Sequence, residues 1–229
     1  MKVLVTGFEP FGGDAVNSSG EAVTALAARW TGPDELVTAV LPVEFDQVRS
    51  ADGLLLRLLD EHAPDVVLAV GLAAGVTQVR VEQVAINLMD ARIPDNGGTQ
   101  PVDAPVADGG PDARFTTLPA KAAVAAVRAA GIPAGVTYSA GTYVCNAAFY
   151  ALQHALAERP GVLSGFVHVP RTTEEVGETP RRPRCRTAAS RTSRSSRSSA
   201  PWRSWCARRS PRPAARRWSP PGSPARCTD

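Results

Sequence analysis

The chain has 229 residues, 44% of them hydrophobic, and a formal net charge of +3. That length suits one domain, or one domain with an appendage, and no apolar run approaches membrane-spanning length. The charge is split: residues 1–179 hold 11 of the 25 Lys and Arg and 21 of the 22 Asp and Glu, a balance of −10, whereas residues 180–229 hold 14 Arg against Asp229 alone, a balance of +13.

Lys2-Val-Leu-Val-Thr6 reads as a first strand that runs into the glycine-bearing loop GFEPFGG. Glu21 to Trp30 reads as a short helix and Leu36 to Val43 as a second strand. Residues 45–62 carry helical spacing through Val48, Leu54, Leu55, Leu58 and Leu59, which predicts one helix. Val66 to Val70 is the continuous apolar run expected of a buried parallel strand. Gln78 to Ile86 reads as extended, Asp95 to Gly98 as a turn, and residues 101–112 as a Pro/Gly/Asp-rich loop. An Ala-rich helix over Leu118–Ala130 can be capped by Gly131. A short strand over Val136–Ser139, a helix over Asn146–Leu156 and a last strand over Gly165–Val169 complete the series. Strands alternating with helices predict an α/β domain with a mostly parallel sheet.

Residues 180–229 form a second region without Val, Leu, Ile, Met, Phe or Tyr. Such a segment cannot offset the entropy of ordering its backbone, so it is expected to be a disordered tail. Its Arg, Ser and Trp content fits nucleic-acid binding through phosphate contacts and stacking. It equally fits the product of a shifted reading frame in a GC-rich gene, because Arg, Pro, Ala, Ser, Trp and Cys all have G/C-rich codons. The abrupt break in composition favours the frameshift. Nothing at the N-terminus resembles a signal peptide, and the expected location is the cytoplasm, where thiols stay reduced.

Three residues attract attention for chemistry. Cys145 falls between a predicted strand and a predicted helix, where free N–H groups at the helix start favour a thiolate. The other reading is a buried structural cysteine that packs as a small hydrophobe. His168 lies in an apolar strand, GFVHVP, where an imidazole is unexpected, unlike His62 and His154 at polar or helical positions. Glu82 is the one acid amid Val79, Val81, Val84 and Ile86, and alternation alone puts it on a solvated face opposite Val81. The loop GFEPFGG lacks the spacing of a phosphate-binding motif, and Phe8 and Phe11 suggest an apolar pocket wall instead. No cysteine pair or His/Asp cluster in the first 179 residues has metal-ligand spacing.

Four segments, in order, are Val5 to Gly13 (VTGFEPFGG), Val81 to Asn87 with Asp90 to Asn96 (VEQVAIN and DARIPDN), Ala140 to Asn146 (AGTYVCN), and Gly165 to Pro170 (GFVHVP). On these the chain resembles the pyroglutamyl peptidase I family of cysteine peptidases over roughly residues 1–176. The resemblance implies a three-layer α/β/α sandwich, a homotetramer, and no metal or cofactor. It implies hydrolysis of an N-terminal pyroglutamyl residue through a thioester intermediate, with Cys145 as nucleophile, His168 as base and Glu82 as third member of the triad. Phe8, Phe11, Arg92, Tyr143 and Val144 then fall at substrate-binding positions. The family's final helix should follow HVP, whereas here the Arg-rich tail begins. The expected organisation is therefore a domain over 1–179 lacking that helix and a tail over 180–229. An inactive relative of the family and a nucleic-acid-binding protein acting through the tail are the alternatives.

Overall fold

The computed structural model of the chain describes residues 1–172. The expectations of a disordered tail, of a frameshift and of a missing final helix lie outside the described residues.

Eight strands and five helices alternate along those residues: β1 (Lys2–Phe8), α1 (Ser18–Arg29), β2 (Glu35–Leu41), α2 (Phe45–Arg49), α3 (Leu54–His62), β3 (Val66–Leu72), β4 (Val79–Glu82), β5 (Val84–Ile86), β6 (Ala113–Phe115), α4 (Ala120–Ala129), β7 (Ala134–Thr137), α5 (Val144–Ala155) and β8 (Leu163–Val169). Six strands form one sheet in the order β2-β1-β3-β8-β4-β7, while β5 and β6 pair separately. Every pairing in the large sheet is parallel except β4 with β8.

The sheet is covered on both faces, and alternation along each strand sorts the side chains between them. Leu4 and Phe8 of β1, Val67 and Ala69 of β3 and Phe166 of β8 enter one large core with α2, α3 and α5. Their neighbours Val5 and Val70 pack with Val23 of α1, and Val81 packs with Ala120 and Val124 of α4. Helices therefore lie on both sides of a mostly parallel sheet, as the motifs imply.

Local boundaries depart from the sequence pattern in several places, each with a physical cause. The single helix predicted over residues 45–62 is two helices, α2 and α3. At Gly53 a β-carbon would lie 2.5 Å from the Asp46 carbonyl oxygen and 2.8 Å from that of Gln47, so the chain folds back on α2 there. Helix α1 starts at Ser18, before the predicted Glu21, because the Asn17 side chain accepts from the Ser19 N–H at 3.0 Å and caps it. The extended stretch over 78–86 is split at Gln83 between two sheets. Strand β7 covers 134–137 instead of 136–139, because its partner β4 leaves the sheet after the Glu82–Thr137 pair. The three-residue β6 escaped prediction, being too short to display alternation.

Candidate functional site

Helix α5 carries Cys145 in its first turn, with Tyr143 as N-cap, so the thiol lies within the helix that was expected to begin one residue later. The Tyr143 side chain makes no capping bond. The N–H groups of Val144, Cys145 and Asn146 have no partner inside the helix, as at any helix start. The first intrahelical bond is donated by Ala147 to the Tyr143 carbonyl, at 3.1 Å. Asn146, fully buried, fixes this turn from behind: its Oδ1 accepts from the Ile86 N–H at 3.0 Å, and its Nδ2 donates to the Ile86 and Leu88 carbonyls, both at 2.9 Å.

Close approach of α5 to β3 sets the thiol's depth. A β-carbon on Gly71 would sit 3.0 Å from Cys145 Sγ and 2.7 Å from the Phe166 ring. Only a glycine leaves room for both, a requirement that no local pattern around position 71 announces.

His168 projects from β8 toward the same face as Phe166, whose ring it meets edge-on at 4.9 Å. Only 7% of His168 is exposed. Its Nδ1 lies 2.8 Å from Glu82 Oε1, which leaves Nε2 to interact with Cys145. Burial by itself pulls the imidazolium pKa down, but hydrogen bonds to Cys145 and Glu82, with the negative charge on each, hold it up to about 9.

Glu82 corrects the sequence-based placement. Alternation does separate it from Val81, but the face it joins is that of its register partner Phe166 in the main core and not a solvated one, and 1% of the residue is exposed. A carboxylate buried to that degree needs a charged or hydrogen-bonded partner. His168 supplies one for Oε1, while Glu82 Oε2 has no hydrogen-bond partner.

Cys145 and His168 open into a cavity of about 510 Å³, whose lining includes Phe8, Phe11, Arg92, Tyr143 and Val144. All five residues expected to touch substrate are thus brought together. Their situations differ. Phe8 is 3% exposed and part of the main core, whereas Phe11 is half-buried and packs its ring 5.1 Å from that of Tyr143. The Tyr143 hydroxyl donates to the Pro94 carbonyl at 3.0 Å, which ties the loop carrying Arg92 to the start of α5. Burial, with the charges of Asp95 and Cys145, pushes the Tyr143 phenol up to about 12. Arg92 itself is exposed at the rim.

Sequence reasoning missed Asp14 and Arg171, which line the cavity and form an ion pair between the glycine loop and the segment after β8. The available signal was their position: each directly follows one of the strand-end motifs. His62 and His154 take no part, with His154 exposed on α5 beside Arg114. Among the described residues no group of three His, Cys, Asp or Glu side chains could hold a metal ion, and no helix is long and apolar enough to cross a membrane.

A thiol sharing a cavity with an imidazole that a buried carboxylate orients is an arrangement able to deliver a sulfur nucleophile and return a proton. Comparison with known proteins points the same way. A family model described as pyroglutamyl peptidase matches residues 1–186. A pyrrolidone-carboxylate peptidase of Clavibacter michiganensis subsp. michiganensis is 56% identical over 179 residues, covering 78% of this chain and 83% of that protein. One from Klebsiella pneumoniae is 46% identical over 189 residues, 82% of this chain and 87% of the relative. Among solved structures, pyroglutamyl peptidase I of Bacillus amyloliquefaciens superposes with a TM-score of 0.70 at 44% identity, covering 76% of this chain and 84% of that one. The pyrrolidone carboxyl peptidase of Thermococcus litoralis gives 0.71 at 39%, covering 76% and 78%.

Proposed function

The chain belongs to the pyroglutamyl peptidase family, and from that premise we propose that it removes an N-terminal pyroglutamyl residue from peptides through Cys145, His168 and Glu82. The peptidase assignment follows from the family. What supports these three residues as its machinery is the buried 2.8 Å hydrogen bond between Glu82 and His168, with His168 and Cys145 interacting where both line one aromatic-walled cavity.

Pyroglutamate is a small uncharged lactam, which suits a pocket of aromatic rings with few polar groups. His168 takes the proton of the Cys145 thiol as the sulfur adds to the pyroglutamyl carbonyl carbon, and the oxyanion that forms is stabilised by N–H groups at the start of α5. His168 gives its proton to the leaving amine as the C–N bond breaks, which leaves a thioester on Cys145. The imidazole then takes a proton from water, whose oxygen attacks the thioester, and the C–S bond breaks to release pyroglutamate as His168 passes that proton to the sulfur and restores the thiol. Glu82 holds the ring by Nδ1 and balances its positive charge.

We also propose a cytoplasmic homotetramer with no metal or cofactor. Large exposed apolar side chains, Phe115 on β6 and Tyr138 beside β7, support association of copies. The organisation proposed is a catalytic domain over 1–179 and a separate segment over 180–229.

The deciding experiment is release of a chromophore from a pyroglutamyl amide by the full chain and by Cys145→Ser. Loss of all measurable release in a variant that melts like the parent is expected. Loss of only a few-fold would make Cys145 structural, and an inactive parent chain would leave a folded relative without activity.

A further inference from the structure

Three buried polar atoms beside the site have no hydrogen-bond partner: Glu82 Oε2, Thr137 Oγ1 and Arg80 Nε. Their residues share one face of the sheet. Glu82 and Thr137 are register partners on the parallel strands β4 and β7. Arg80 stands two residues before Glu82 on β4 and opposite His168 of β8. Side chains of register partners, and of residues two apart on a strand, project to the same side.

An unsatisfied carboxylate oxygen is costly in a buried site, and buried water characteristically makes about three hydrogen bonds to such groups. The donor count closes. A water can accept from the Arg80 Nε–H and from the Thr137 hydroxyl while donating to Glu82 Oε2. Thr137 gains an orienting role in this way, since its hydroxyl fixes the water that in turn fixes the carboxylate.

We infer that Thr137 is a positioning residue for the peptidase reaction: through one buried water shared with Arg80, its hydroxyl holds Glu82 in the orientation that aligns His168. This rests on the proposed Cys145–His168–Glu82 machinery. It adds β7 to the elements β4, β8 and α5 that set the geometry of the site.

Thr137→Val, Thr137→Ser and Glu82→Gln, made in the full chain, separate the possibilities. Val keeps the shape of Thr and removes the hydroxyl, whereas Ser keeps the hydroxyl and removes the methyl. Thr137→Val is expected to lower kcat about tenfold, the size expected when a buried charged group loses a hydrogen-bond donor, with KM unchanged within about twofold. Thr137→Ser is expected to retain kcat within about twofold. In the Glu82→Gln background, Thr137→Val should add no further loss, because the group it acts through is gone. An unchanged kcat in Thr137→Val, or equal loss in Thr137→Ser, overturns the inference. Full activity in Glu82→Gln instead overturns the underlying triad. Should Thr137→Val fail to fold, a crystal structure of the parent chain decides. A water within about 3 Å of both Glu82 Oε2 and Thr137 Oγ1 upholds the inference, and any other group bound to Oε2 ends it.

Discussion

Glu82 and His168, 86 residues apart in sequence, meet at 2.8 Å between Oε1 and Nδ1, with almost no solvent reaching either. That contact fixes the ring's orientation and leaves Nε2 facing Cys145. Replacing Glu82 by Gln keeps the shape but removes the charge and lets an amide donate to Nδ1, which favours the wrong tautomer. Glu82→Gln should lower kcat by roughly 10²–10³-fold, in the range of general acid–base contributions, with little change in KM. Steady-state kinetics checks it, and a loss under threefold would reduce Glu82 to a core carboxylate.

His168, held between Cys145 and Glu82, also couples stability to pH. His168 binds its proton more tightly folded, at a pKa of about 9, than in the unfolded chain near 6.5. The associated stabilisation is complete below pH 6.5 and is lost as pH rises to about 9. A shift of that size corresponds to about 3 kcal/mol. The melting temperature should therefore fall across that window, and the Glu82→Gln/His168→Gln double variant should lack this component. Parallel melting curves for the two proteins between pH 6.5 and 9 would contradict the coupling.

Gly71 is predicted to be a position where a single methyl group is harmful. In Gly71→Ala the new carbon meets the Phe166 ring and Cys145 Sγ within 3.0 Å, so one of them must move. Overpacking of this kind costs about 1–3 kcal/mol, and displacement of the sulfur should lower kcat well beyond what the stability loss explains. Thermal melting and kinetics on the same preparation test this. Native kcat in the variant would show that the helix can back away without consequence.

The two aromatic residues of the glycine loop should behave differently. Phe11 lines the cavity and is half-buried, so Phe11→Ala should raise KM about tenfold while the protein melts nearly as before. Phe8 belongs to the main core, and Phe8→Ala should cost about 3–5 kcal/mol of stability. Equal effects on KM and stability for both variants would mean that the loop acts as one unit.

Much of this site was legible in the sequence. An imidazole in an apolar strand, a cysteine at a strand-to-helix junction and paired phenylalanines in a glycine loop are local anomalies. In a parallel α/β sheet such anomalies collect at strand ends, where loops converge. The motifs also gave the fold class, because alternating strands and helices leave few ways to bury both faces of a sheet.

Other features were decided only by tertiary structure. Parity along β4 correctly separates Glu82 from Val81, but parity is a local consequence of extended backbone and says nothing of what covers each face. The face Glu82 joins is that of Phe166, more than eighty residues later, which packs into the main core, and this turns an expected surface acid into a buried partner of His168. The break at Gly53, the early end of β7 and the need for glycine at position 71 have the same origin. Each is a steric or hydrogen-bonding demand made by residues that the local pattern does not contain. Sequence periodicity reports the conformation of a segment, whereas burial, partner choice and pKa depend on long-range contacts that exist only once the whole domain has closed.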